Sequence, residues 1–62
     1  MLGENIKKAR EEKGMEQSEL ADMVGVSQPT ISSYESGVRE PRLGVIKLLA
    51  RVLGKSIDEL VK

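Results

Sequence analysis

Gln28, Thr30, Ser32 and Ser33 place four short, uncharged hydrogen-bonding side chains within six residues, with no Lys or Arg among them. A hydroxyl donates and accepts, and an amide offers two donors beside an acceptor. Side chains of this kind suit the edges of nucleic-acid bases, where sequence is told from donor and acceptor geometry rather than from net charge. Such a face is unusual as plain solvated helix surface, which normally carries Lys and Glu. Catalysis has little to work with here. The chain has no His and no Cys, no Gly-rich phosphate loop, and no carboxylate pair in a plausible pocket, so an enzyme is not expected. The missing His and Cys also exclude disulfides and the usual zinc clusters, and no cofactor or metal is implied.

The segment 17–36 positions those polar residues. Leu20, Ala21, Val24, Val26, Ile31 and Tyr34 are apolar, and they fall where two short helices would meet across a turn at Gly25. Ala21 allows the two backbones to approach closely, and Gly25 supplies the positive φ that a tight turn needs. The pattern is a helix-turn-helix whose second helix, about 28–36, presents the polar face to a DNA groove.

The remaining elements are helical as well. A first helix is expected over about Gly3 to Lys13, with Leu2, Ile6 and Ala9 on one face and a Glu4–Lys8 pair at i,i+4. Gly14 stops it, and the second helix follows over about Gln17 to Met23. Ser27 caps the third, and Pro29 falls in its first turn, where an N–H has no intrahelical partner to lose. Pro41 breaks the chain before a fourth helix over about Leu43 to Leu53, with Leu43, Ile46, Leu49, Ala50 and Leu53 inward. Gly54 closes it. Ser56 caps a last short helix that turns Ile57, Leu60 and Val61 towards the core. No strand pattern, repeat or linker is present.

Sixty-two residues make one domain, 1–62, near the lower limit for folding without a staple. No apolar run approaches a membrane span and no leader precedes the fold, so cytoplasmic residence is expected. Ten basic and ten acidic residues cancel, which is not what bulk electrostatics asks of a DNA binder. The distribution says more. Residues 17–38 hold Glu19, Asp22 and Glu35 and no basic residue, whereas residues 39–62 hold six basic against three acidic side chains. A grip on phosphates must therefore come from the flanks, mainly beyond Val38, and from helix N-termini.

Taken in order, Ile6 with Arg10, Gln17-Ser18-Glu19-Leu20-Ala21, Gly25-Val26-Ser27, Ile31-Ser32, Tyr34-Glu35-Ser36-Gly37, Pro41, Leu49-Ala50 and Leu53 to Leu60 form a specific pattern. With it the chain resembles the phage repressor and Cro family of helix-turn-helix domains over nearly its whole length. The resemblance implies an all-α, compact five-helix bundle with a central helix-turn-helix, lambda repressor-like. It implies that Gln28 reaches a base, adenine being the best bidentate partner, while Gln17 bonds a phosphate and braces Gln28. Pro29, Thr30, Ser32 and Ser33 would face the major groove or its walls; Pro29 stands where relatives often carry a polar residue and could pack on a thymine methyl. Ser27, Arg39 and Arg42 would join Gln17 on phosphates. Arg10 and Glu35 occupy positions that form a partly buried ion pair between helices one and three. Glu16 and Arg42 replace the usual caps of helices two and four.

Together these features point to a regulator that binds a two-fold double-stranded DNA operator as a homodimer, at least on DNA, and acts by excluding or touching RNA polymerase. The C-terminal turn around Ser56 to Val61 is the expected dimer surface, and no membrane is involved. The rival reading is an antitoxin-like or adaptor module that keeps the fold and binds a protein, with weak or no DNA contact. Zero net charge favours that rival.

Overall fold

The computed structural model describes residues 1–62 and consists of five helices: α1 (Leu2–Glu12), α2 (Gln17–Val24), α3 (Gln28–Ser36), α4 (Leu43–Leu53) and α5 (Ile57–Val61). Ile6, Leu20, Ile31, Leu49 and Leu60 are the largest fully buried side chains. Each helix thus contributes one. Burying such a side chain stabilises by about 1.5–3 kcal/mol, so the five helices share one core and none can leave without exposing its anchor. Ala9, Ala21, Val24, Tyr34, Ala50 and Leu53 complete the cluster. The alanines are small enough to let α1, α2 and α4 pack at short range around the larger side chains.

Each element begins and ends for a local reason. Ser27 accepts from the Thr30 backbone N–H and caps α3, with Pro29 in the first turn. Ser56 and Glu59 form a capping box at α5: the Ser56 hydroxyl accepts from Glu59 N–H, and the Glu59 carboxylate accepts from Ser56 N–H at 2.7 Å. Those hydrogen bonds, the backbone one first, hold the Glu59 carboxyl below its ordinary pKa of 4.5. The turn between α2 and α3 rests on Gly25 at φ 76°, after which Val26 N–H closes back on the Ala21 carbonyl at 3.0 Å. Asn5 on α1 donates to the carbonyls of Leu60 and Lys62, satisfying the open end of α5.

The helix limits fall within a residue of those read from the sequence, a margin that helix ends commonly show. Four side chains stand elsewhere than expected. Leu43 is exposed; on the first turn of α4 it is Val45 that packs against the core, and Pro41 ahead of it is buried. Val61 is exposed too, α5 being anchored by Leu60 alone with Ile57 at its edge. Glu4 lies by the Met1 ammonium at 4.0 Å and does not pair with Lys8. Val26 is half-buried against the cluster and not part of its centre.

Gly3 sets how close α1 and α3 can come. A Cβ there would stand 2.5 Å from the Tyr34 carbonyl oxygen and 2.7 Å from that of Glu35. Both are backbone atoms, so the approach exists only because this position has no side chain.

Candidate nucleic-acid interface

α3 divides cleanly by helical spacing. Ile31, Tyr34 and Glu35 are buried, and i,i+3,i+4 spacing puts them on one inward face. Pro29, Ser33 and Ser36 fall opposite that face, with Gln28 and Ser32 on the flank next to Glu35. Gln28, Pro29, Ser32 and Ser36 are exposed and Ser33 is half-buried. The result is a narrow polar stripe bearing no charge. Ser36 belongs to it but was not singled out in the sequence, although the i,i+4 step from Ser32 points to it; its hydroxyl donates to the Ser33 carbonyl. Thr30 stands off the stripe. It is half-buried near the α2–α3 turn, and its hydroxyl lies 2.7 Å from that of Ser27. The structure therefore groups Thr30 with Ser27 rather than with the residues of the stripe.

Behind the stripe runs a chain of hydrogen bonds that joins three helices. Arg10 on α1 donates from Nε to Glu35 Oε2 at 2.7 Å and from its second terminal nitrogen to Glu35 Oε1 at 3.1 Å. A further Arg10 nitrogen donates to the Met15 carbonyl at 2.7 Å. The Arg10 and Glu35 side chains are only 10% and 4% exposed, which is tolerable because the fork geometry satisfies the carboxylate twice. The hydrogen bond to Glu35 raises the Arg10 pKa further above its already high value against the opposing effect of burial. Gln17, at the start of α2, donates from Nε2 to Glu35 Oε1 at 2.9 Å. Gln28 then donates from Nε2 to Gln17 Oε1 at 2.6 Å. The Gln17–Glu35 bond was not foreseen; no spacing rule relates residues on separate helices.

This arrangement changes the electrostatic picture drawn from the sequence. Of the three acidic residues in 17–38, Glu35 is matched by Arg10 in the interior, leaving Glu19 and Asp22 exposed. One Glu19 oxygen is occupied by the Glu16 N–H at 2.8 Å, so Glu16 begins α2 with a reciprocal partner three residues on. Arg39 and Arg42 are exposed, flank the end of α3 and the start of α4, and pair with no carboxylate of this chain. Val38 beside them is 84% exposed. No group of three or more His, Cys, Asp or Glu residues is placed to hold a metal, and no helix is long and apolar enough to cross a membrane. Every buried side-chain nitrogen and oxygen has a hydrogen-bond partner.

A helix-turn-helix family model matches residues 6–60. The uncharacterized HTH-type transcriptional regulator YqaE of Bacillus subtilis strain 168 is 37% identical over 62 residues, covering all of this chain and 53% of YqaE. The chain spans about half the length of the curated relatives it matches first. Among solved structures, the P22 c2 repressor in complex with a synthetic operator superposes with a TM-score of 0.93 at 35% identity, over 97% of this chain and 91% of that one. The biofilm regulator SinR in complex with DNA gives 0.91 at 35% identity, with both chains fully covered.

Proposed function

The chain belongs to the phage repressor and Cro family of helix-turn-helix domains, and on that premise we propose that it is a sequence-specific double-stranded DNA-binding domain of a transcriptional regulator. The observation that carries this reading is the uncharged stripe of α3 with Gln28 held at its leading end. α3 lies in the major groove, where Gln28 reads a base and Pro29, Ser32 and Ser33 contact neighbouring edges or the groove wall. Gln17, Ser27, Thr30, Arg39 and Arg42 attach the domain to phosphates, Thr30 moving to this set because of its place beside Ser27. Arg10 and Glu35 hold α1 against α3 and touch no DNA. The domain works without catalysis, inside the cell where its operator lies.

It binds as a homodimer on half-sites about one helical turn, ~34 Å, apart. Val61, 48% exposed, supplies apolar surface at the C-terminal turn for the second copy. Repression follows from exclusion of, or contact with, RNA polymerase. Selection of bound duplexes from a random library at low salt tests the whole reading. Enrichment of a two-fold motif is expected. A folded protein that enriches nothing, at any salt, overturns it in favour of the protein-binding module that zero net charge allows.

A further inference from the structure

Resting on that reading, we propose that Glu16 is a built-in competitor of the DNA phosphate at the start of α2, weakening binding to every duplex while stabilising the free domain. α2 and α3 begin side by side: Gln17, the first residue of α2, accepts from Gln28, the first residue of α3, at 2.6 Å. Gln17 is a phosphate contact in that reading, so a phosphate lies before the open end of α2. The first backbone N–H groups of a helix lack intrahelical partners and carry partial positive charge, which draws in a nearby anion. In this chain that anion is already present. Glu16 is the N-cap of α2, and its side chain turns back towards the Glu19 N–H in a capping box. The Glu19 carboxylate returns the contact by accepting from the Glu16 N–H at 2.8 Å.

A carboxylate in that place has two opposed effects. In the free domain it favours α2, because negative charge at a helix N-terminus is stabilising. On DNA the same charge meets a phosphate. Glu16 is exposed and pairs with no basic residue of the chain. Arg10 feels its charge but is committed to Glu35 and the Met15 carbonyl. Ser27 and Ser56 cap α3 and α5 without charge, so the anionic cap stands only at the helix that begins with Gln17. The repulsion acts on the DNA backbone, which carries no sequence information directly. Glu16 therefore sets affinity and leaves base preference alone.

Two variants and a control test this at one salt concentration. Glu16→Gln keeps the size of the side chain and removes its charge; Glu16→Thr installs a neutral cap. Both are expected to bind a preferred and a scrambled duplex about threefold to tenfold more tightly, the effect of one charge facing a phosphate across solvent. The ratio between the two duplexes should stay constant. Glu16→Gln should also melt below the parent, and Glu16→Thr should recover part of that loss. Affinity that rises as stability falls is the signature, since a residue that only capped α2 would lower both. Glu12→Gln is the control. It removes an equal charge on the side of α1 turned away from Arg10, where Glu12 meets Lys55 at 3.4 Å, and should change affinity by less than about twofold. Unchanged or weaker binding by both Glu16 variants overturns the proposal, and so does a gain confined to one duplex. An equal gain in Glu12→Gln overturns it as well, because the effect would then be one of net charge. A folded parent that binds neither duplex refutes instead the DNA reading on which the proposal rests.

Discussion

Replacing Arg10 with Met keeps most of the aliphatic stem and deletes the charge. Glu35, whose side chain is 4% exposed, would then lose the bonds at 2.7 and 3.1 Å and keep only the Gln17 amide at 2.9 Å. The Met15 carbonyl would lose its donor too. Stranding one member of a buried pair costs about 3–5 kcal/mol. A domain of 62 residues at ~0.05–0.15 kcal/mol per residue has a stability of about 3–9 kcal/mol. Arg10→Met is therefore expected to leave a large unfolded fraction at neutral pH. Arg10→Met with Glu35→Leu removes the stranded charge and should be more stable than Arg10→Met alone, giving an interaction energy of at least ~2 kcal/mol. Urea titration followed by circular dichroism measures the parent, Arg10→Met, Glu35→Leu and the double variant. Additive costs across the cycle would refute the assignment of the destabilisation to a stranded charge.

Gly3→Ala should lower stability by about 1–3 kcal/mol through forced separation of α1 from α3, whereas Gly44→Ala, where a Cβ meets nothing within 4 Å, should raise it by up to ~1 kcal/mol; thermal melts of the two distinguish a contact effect from a general glycine effect. Glu59, with its folded pKa below 4.5, contributes stability that is present above the unfolded pKa and lost as pH falls through the folded one; Glu59→Gln should flatten that acid limb, read as amide exchange in α5. Gln28→Ala is expected to cost ~1–3 kcal/mol on the preferred duplex and to relax preference at one base pair. Arg42→Ala should instead weaken all duplexes alike and reduce the salt slope by about one unit; an unchanged slope removes Arg42 from the phosphate contacts.

The helices were legible because each is bounded by local chemistry, such as the Ser27 and Ser56 caps and the Gly25 turn, and carries an apolar residue at the spacing of its inward face. Leu43 misled for the same reason. It satisfies the period of α4, but a period reports which side of a helix is apolar and not which residue of a turn a neighbour covers. The polar stripe was visible in composition, yet that Ser36 joins it and Thr30 stands off it follows only once the rotation of α3 is fixed by Ile31, Tyr34 and Glu35. Arg10 and Glu35 could be joined only through the family resemblance, since 25 residues separate them. The Gln17–Glu35 bond had no signal at all. It depends on how α2 is set against α3, which only the packed core decides.

The first and last residues of the chain touch: the Met1 ammonium donates to the Lys62 carbonyl at 3.0 Å, beside the Asn5 contacts that span 55 and 57 positions. Kinetically, this closure is the slow one to find, because the entropy of bringing two sites together grows with the chain between them. α2 and α3, and likewise α4 and α5, are each joined by three residues and can pair early; the α1–α5 contact spans the whole chain. A peptide bridge of a few residues between the two ends would turn the most distant meeting in the molecule into a neighbouring one. The circular chain should fold faster than the linear one while reaching the same packed state.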